Sequence, residues 1–286
     1  MPIPVRILYL RTMRVPESGY ISFDGGQLHY RRYGSGSRLL LAFHGYGNQA
    51  TIFAPFERHL GGDFTILSFD LPHHGKSKWP EGHLLHKEEL RSLVLRAAEL
   101  FGTDKIALAG YSMGGRVCLT IVELLPQMVD KVLLIASDGL VFNPLYYFVT
   151  KTLIGKKIFR SFLTDTRRYI KMVDWLHKKQ WVDPSRYRFA MYYLESENDR
   201  RFLLRVWPSM SLIVPNMRRL RTQVRKHHLP VFIFMGAFDR IIPVLHAKRF
   251  KKDLATVQLF VVDKGHRVFD SETLPQMARC LITGTC

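Results

Sequence analysis

The sequence is poor in cysteine, in acidic residues and in long apolar runs. Its 286 residues include three cysteines, Cys118, Cys280 and Cys286, and this odd, irregularly spaced set predicts neither a disulfide framework nor a metal site. No apolar run reaches the length of about 18 residues that a membrane span requires. Residues 3–13 are interrupted by two arginines and do not have the pattern of a signal peptide. These absences predict a cytoplasmic protein without a membrane span.

Acidic residues are outnumbered, because 42 lysines and arginines face 24 aspartates and glutamates, for a net charge of +18. Residues 139–228 hold 19 of the basic residues and six of the acidic ones. Such a surface attracts nucleic acid, an anionic membrane or an acidic substrate, or is simply solvated. Since the sequence contains no recognised nucleic-acid module, no nucleic-acid partner is expected. The role of the basic segment and the oligomeric state stay open.

Apolar runs of strand length alternate with helical patterns over most of the chain. Val231–Met235 is a continuous apolar run, and Phe64–Phe69 and Val257–Val262 are mostly apolar. Such segments are typical of strands buried on both faces. Lys87–Phe101 instead carries apolar residues at helical spacing. The alternation predicts an α/β fold, with a mostly parallel central sheet and helices on both faces.

The alternation stops between residues 139 and 228, where the pattern is helical, basic and aromatic. This interval predicts a helical cap, or lid, inserted between two strands of the sheet. Residues 1–138 and 229–286 would then form the core domain. The predicted helices of the cap are Leu153–Leu163, Thr166–Lys178 and Arg186–Leu194.

A G-x-S-x-G motif, Gly110-Tyr111-Ser112-Met113-Gly114, lies between a strand pattern and a helix pattern. The motif alone is weak evidence, because a chain of this length matches it by chance roughly one time in ten. Its position after the apolar run Ile106–Ala109 and before the helical pattern Met113–Leu125 gives it the context of a nucleophile elbow. A serine hydroxyl is too weakly acidic to attack a substrate unaided, so a base must accept its proton. Ser112 is therefore predicted to be a nucleophile with a partner elsewhere in the chain.

Two later residues suit the partners that Ser112 needs. Asp239 and His266 each follow an apolar strand, in the chain order serine, aspartate, histidine. Catalytic groups of open α/β sheets lie beyond the carboxyl ends of the strands. His266 is predicted to accept the Ser112 proton, and Asp239 to orient the imidazole. Asp138 also follows a strand and is the alternative acid.

These features together resemble the α/β-hydrolase superfamily, in its serine-nucleophile branch with an inserted helical cap. The resemblance extends from about Gly19 to Leu281 and is weakest over residues 139–228. The residues that carry it are His44-Gly45, the turn Asp70–Ser77, the elbow at Ser112, Asp239 and Gly265-His266.

The resemblance implies a serine esterase that cleaves a small carboxylic ester or related acyl bond through an acyl-enzyme intermediate. It implies no cofactor and no metal. An oxyanion hole is expected from the backbone N–H groups of Tyr46 and Met113. The substrate is expected to be a small molecule with an acidic group or an apolar acyl group.

Substrate binding is assigned to His44, Tyr111, Arg116 and Trp175. Trp175 belongs to the predicted cap, which the resemblance places over the site. The run from Ser112 to Arg116 is also similar to that of the menaquinone-pathway synthase, a lyase that eliminates pyruvate from a carboxylated substrate. This lyase, and a non-catalytic ligand receptor on a hydrolase scaffold, remain as alternatives.

Overall fold

The computed structural model describes residues 17–285 apart from residues 24, 183, 185, 186, 188–190 and 192–195 and the side chain of Arg168. The helix predicted at Arg186–Leu194 therefore lies outside the described residues. The chain divides into a helical unit, made of Pro80–Leu85 and Phe142–Leu212, and a core unit, made of the remainder. In the described ranges, no helix combines the length and the apolar character needed to cross a bilayer.

An eight-stranded sheet lies at the centre of the core unit, with the strand order β1-β2-β4-β3-β5-β6-β7-β8. β1 pairs antiparallel with β2, and β2 with β4, whereas every other neighbouring pair is parallel. The mostly parallel sheet predicted from the apolar runs is thus confirmed. The strands are β1 (Ser18–Phe23), β2 (Gly26–Tyr33), β3 (Arg38–Phe43), β4 (Phe64–Phe69), β5 (Ile106–Tyr111), β6 (Val129–Ile135), β7 (Val231–Gly236) and β8 (Val257–Val262).

Helices pack against this sheet and build the core between them. One face contacts the 3₁₀ helix Ala50–Phe56 and two α-helices, α1 and α10, through a cluster that joins Leu40 and Phe234 to Phe53 and Met277. The core helices are α1 (Glu57–Leu60), α2 (Lys87–Phe101), α3 (Met113–Leu124), α8 (Met217–Lys226), α9 (Val244–Lys251) and α10 (Leu274–Thr283). The helices of the helical unit are α4 (Pro144–Lys151), α5 (Leu153–Thr164), α6 (Thr166–Lys178) and α7 (Glu197–Ser209).

The helical unit ends earlier than the predicted cap, at Leu212 rather than 228. α8 belongs to the core unit, because Leu220 and Val224 are fully buried and the backbone N–H of Asn216 donates to Glu123 Oε2 of α3 over 2.8 Å. The five basic residues of α8 surround this narrow apolar stripe, and they made the segment resemble part of the cap. The core is therefore larger than the sequence prediction.

The helical unit also includes a short segment from earlier in the chain, Pro80–Leu85. The Leu85 N–H donates to the Ser209 carbonyl over 2.7 Å, and Arg205 pairs with Glu81 at 2.7 Å. These contacts join residues more than 120 positions apart in the sequence. Periodicity along the chain carries no signal for such a pairing, and this segment was not predicted.

Two of the cysteines lie in helices of the core unit. Cys118 in α3 is a buried free thiol, and Cys280 lies in α10. Burial raises the pKa of the Cys118 thiol. A thiol that stays protonated is a poor nucleophile, so Cys118 does not compete with Ser112 for that role.

Candidate active site

Ser112 lies in a strained turn between β5 and α3, with φ 51° and ψ −117°. Residues other than glycine rarely adopt such a conformation, and it persists only where surrounding contacts enforce it. Here the Ser112 N–H donates to the Ile135 carbonyl, and the Ser112 carbonyl accepts from the N–H groups of Gly115 and Asp138, all over 2.9 Å. These three backbone hydrogen bonds hold the turn that presents the Ser112 side chain.

Close backbone approach explains both glycines of the motif. A Cβ on Gly114 would lie 1.9 Å from the Phe43 carbonyl oxygen, and one on Gly110 would lie 2.6 Å from the Gly114 carbonyl oxygen. Neither distance is compatible with a side chain. The elbow is therefore pressed against the end of β3 as well as against its own helix.

The predicted nucleophile, base and acid form one chain of hydrogen bonds. His266 Nε2 lies 2.9 Å from Ser112 Oγ, and His266 Nδ1 lies 2.8 Å from Asp239 Oδ2. The His266 side chain is 19% exposed and that of Asp239 is fully buried. The imidazole is thus largely shielded from solvent, and the Asp239 carboxylate beside it is shielded completely.

Backbone donors fix the Asp239 carboxylate from the other side. Its Oδ1 accepts from the N–H groups of Ile241 and Ile242 over 2.8 and 2.9 Å, which leaves Oδ2 for His266. The alternative acid, Asp138, instead accepts from the Gly139 N–H over 2.7 Å and pairs with Arg116 at 3.5 Å. Asp239 is therefore the carboxylate that the fold directs at the imidazole.

Of the two residues predicted to supply the oxyanion hole, Met113 directly follows Ser112, and Tyr46 directly follows Gly45, which lies close to Ser112. Met113 is the first residue of α3, and the N–H groups of a first helical turn have no carbonyl of a preceding turn to bond. Tyr46 follows Gly45, whose Cβ, if present, would lie 3.0 Å from the Ser112 Cβ. Gly45 therefore brings the loop after β3 close to Ser112, and the oxyanion hole itself stays a prediction.

His44 supports the loop after β3, and this corrects its prediction as a substrate-binding residue. Its Nε2 accepts from the Leu71 N–H over 3.0 Å, and its Nδ1 lies 2.7 Å from the Gly45 carbonyl oxygen, to which it donates. The residue is fully buried. Burial lowers the pKa of His44 from 6.5 to about 4, so the ring is neutral. Both nitrogens are used by the backbone, which leaves none for a substrate.

His74 has a matching role that sequence reasoning missed. Its Nε2 accepts from the Gly47 N–H over 3.1 Å and its Nδ1 donates to the Pro72 carbonyl over 2.8 Å. The rings of His44 and His74 are 4.8 Å apart. Burial, assisted by the neighbouring histidine, lowers the pKa of His74 to about 3. No sequence pattern marks a side chain that bonds a backbone group 27 residues away.

The two buried histidines predict that acid destabilises the protein. Both have a lower pKa in the folded chain than the ordinary value of 6.5, so the unfolded chain binds more protons below that pH. The free energy of unfolding should fall as the pH drops from 6.5 towards 4, by at most about 1.4 kcal/mol per pH unit for each histidine. Urea unfolding at pH 7 and pH 5 measures this loss.

Replacing one of the two buried histidines, His74, measures its contribution to the pH dependence of the free energy of unfolding. His74→Gln keeps a hydrogen-bonding group but cannot titrate, so its unfolding free energy should depend less steeply on pH than that of the wild type. His227→Gln makes the same change at an exposed position and should leave the slope unaltered. An identical slope in all three proteins would mean that His74 does not contribute to the acid sensitivity.

The other residues predicted to bind substrate lie in different surroundings. Tyr111 packs against the base, with its ring 5.4 Å from that of His266, and burial raises its pKa to about 12. Arg116 is buried and paired with Asp138. Trp175 is half exposed on α6 and makes an edge contact with Trp181. Of this set, Tyr111 is the residue whose ring contacts His266.

No group of three or more potential metal ligands occurs among the residues that the structure describes.

Comparison with known proteins identifies the family. The sequence model of the alpha/beta hydrolase family matches residues 39–279. The uncharacterized hydrolase YugF of Bacillus subtilis is 24% identical over 86% of this chain and 89% of its own. A pimeloyl-[acyl-carrier protein] methyl ester esterase of Vibrio campbellii is also 24% identical, over 86% of this chain and 93% of its own.

Solved structures of other hydrolases have a similar fold. The crystal structure of carboxylesterase CesB from Bacillus subtilis superposes with a TM-score of 0.63 at 17% identity, and the match covers 94% of this chain and 92% of that one. Sequence identity this low shows a shared fold but does not transfer the activity or the substrate. Together with the family match over most of the sequence, it shows that the chain belongs to the alpha/beta hydrolase family and is a hydrolase.

Proposed function

We propose that the protein is a serine hydrolase that cleaves a carboxylic ester or a related acyl bond of a small molecule through an acyl-enzyme intermediate. The observation that carries this proposal is the continuous hydrogen-bond chain from Ser112 Oγ through His266 to Asp239, with links of 2.9 and 2.8 Å. These three groups are the nucleophile, the base and the orienting acid of acyl transfer.

The contacts of Asp239 set the tautomer of His266. A carboxylate can only accept, so the proton of the neutral imidazole lies on Nδ1, between the ring and Asp239 Oδ2. Nε2 then carries a lone pair and faces Ser112 Oγ. The base is thus preset to accept the serine proton without a rearrangement.

Acylation and deacylation use the same groups in turn. Ser112 Oγ attacks the acyl carbonyl carbon while His266 Nε2 takes its proton, and the N–H groups of Tyr46 and Met113 stabilise the oxyanion. The C–O bond to the alcohol then breaks, and His266 protonates the leaving oxygen. A water molecule attacks the acyl-enzyme with His266 again as base, which releases the acid and restores the Ser112 hydroxyl.

The relatives support ester cleavage as the type of reaction. One sequence relative is named a methyl ester esterase and one structural neighbour a carboxylesterase. At 24% and 17% identity these names do not transfer a particular substrate. The lyase alternative depended on Arg116 as a cation for a carboxylated substrate. Because Arg116 is buried and paired with Asp138, this residue gives the lyase no support.

A fluorophosphonate probe tests the proposal, because it phosphonylates serines that a base has activated. Wild-type protein should be labelled, peptide mass spectrometry should place the adduct on Ser112, and a short p-nitrophenyl ester should compete with the probe. Heat-denatured protein and the Ser112→Ala variant, with its fold verified by circular dichroism, should remain unlabelled. An unlabelled folded wild type, or an adduct on another serine, would overturn the assignment.

A further inference from the structure

The helical unit exposes seven large apolar side chains in α4, in α5 and just before α4. Each of seven such residues is between 39% and 80% exposed, with Leu153 the most exposed of all. Singly exposed apolar residues are ordinary, but a group of this size in two consecutive helices indicates a binding surface. The seven residues, here named the α4–α5 face, are Phe142, Leu145, Tyr147, Phe148, Leu153, Ile154 and Ile158.

This exposure is not needed for the packing of the helical unit. α5 already buries Gly155, Phe159 and Leu163, which are spaced four residues apart and form its inward stripe. Phe159 stacks on Trp207 of α7 with the rings 5.4 Å apart. Leu153, Ile154 and Ile158 lie outside that stripe. α5 therefore has a second apolar face with no role inside the unit.

The segment that contains the α4–α5 face has basic residues but no acidic ones. Residues 139–164 contain four basic residues and no aspartate or glutamate. Lys156, Lys157 and Arg160 are exposed on α5, and Lys151 ends α4. Long basic side chains can lie along an apolar surface while their charges reach outward. A binding surface that combines these features favours a partner that is apolar inside and anionic at its boundary.

We propose that the α4–α5 face docks on the surface of a lipid bilayer that contains anionic headgroups. The leucines, isoleucines and aromatic rings would enter the interface, and the four basic residues would contact the headgroups. Aromatic side chains such as Phe142 and Tyr147 are favoured at that depth. A second copy of the chain offers no such match, because it would bring four cations against four cations. Nucleic acid would satisfy the charges but would leave the apolar side chains in water.

Flotation with lipid vesicles tests the proposal on the full chain. Vesicles of phosphatidylcholine with one quarter phosphatidylglycerol should bind the protein, vesicles of phosphatidylcholine alone should bind it more weakly, and added salt should weaken binding further. Lys156→Gln with Lys157→Gln should lower the partition coefficient about 30-fold, since each basic residue near an anionic surface contributes about fivefold. Leu153→Ser with Ile154→Ser should lower it by at least about 100-fold.

Matched control variants at other exposed positions distinguish binding through the α4–α5 face from nonspecific binding to vesicles. Leu95→Ser with Leu100→Ser changes two exposed leucines of α2, and Lys251→Gln with Lys252→Gln removes two exposed cations at the end of α9. Both controls should bind like the wild type. Equal losses in the controls, equal binding to neutral vesicles, or no binding at all would overturn the proposal. The proposal would also be overturned if analytical sedimentation showed a wild-type dimer that Leu153→Ser with Ile154→Ser converts to monomers.

Discussion

Replacing Ser112 by alanine is expected to lower kcat for short p-nitrophenyl esters by about 10⁶-fold. The variant lacks the oxygen that forms the acyl-enzyme, and His266 then has no hydroxyl proton to accept at 2.9 Å. What remains is the binding of the substrate and the polarisation of its carbonyl by the backbone N–H groups, which act without a nucleophile. Steady-state kinetics with an ester that the wild type hydrolyses measure the loss.

The partners of Ser112 give this experiment its internal control. In the proposed mechanism the three residues act as a unit, so His266→Ala should be impaired about as much as Ser112→Ala, and the double variant should be no worse than either. Ser271→Ala makes the same chemical change at an exposed serine and should retain wild-type kcat. Losses that multiply in the double variant would show that Ser112 and His266 act independently, and activity above about 1% in Ser112→Ala would place the nucleophile elsewhere.

The parts of the fold that depend on local pattern could be predicted from the sequence. The helix predicted at Lys87–Phe101 is observed with the same bounds, because its apolar residues repeat at helical spacing and face the core. The strands β4 and β7 are buried along their whole length, as their mostly apolar sequences indicated. Both signals lie within a few turns or residues of chain, where periodicity is informative.

Long-range pairing is what the sequence did not reveal, and α8 shows why. Its arginines appeared to be part of a basic surface, but Arg221 donates to the Phe250 and Lys252 carbonyls, and Arg225 donates to the Asp253 carbonyl. These carbonyls belong to the end of α9 and the turn after it, where helix dipoles favour a cation. Some of the positive charge assigned to the cap therefore serves the core, and composition alone cannot separate the two uses.

In the candidate site, too, some features could be predicted from the sequence and others could not. Chain order and strand ends were enough to bring Ser112, Asp239 and His266 together, since parallel strands end at a common edge. The sequence could not show that His44 and His74 use their ring nitrogens to bond backbone groups of the same loop. A histidine next to a catalytic motif was therefore assigned to the substrate, although its surroundings keep it neutral and buried.

Asparagine in place of Asp239 is expected to lower kcat about 10⁴-fold with little change in KM. Two backbone N–H groups, of Ile241 and Ile242, donate to Oδ1, so the asparagine oxygen must occupy that position. Its NH₂ group then faces His266 Nδ1, which has to accept rather than donate. The imidazole proton moves to Nε2, opposite Ser112 Oγ, where no lone pair is left to take the serine proton.

Two further aspartates decide whether this loss is specific to Asp239. Asp138→Asn removes the carboxylate that pairs with Arg116, and it should keep kcat within about tenfold because that carboxylate does not orient the imidazole in the proposed mechanism. Asp263→Asn changes an exposed residue near His266 in sequence and should behave as the wild type. If Asp138→Asn fell by about 10⁴-fold while Asp239→Asn stayed active, Asp138 would be the acid. The hydrogen bond between Asp239 and His266 would then be structural, and the base would need a different geometry during turnover.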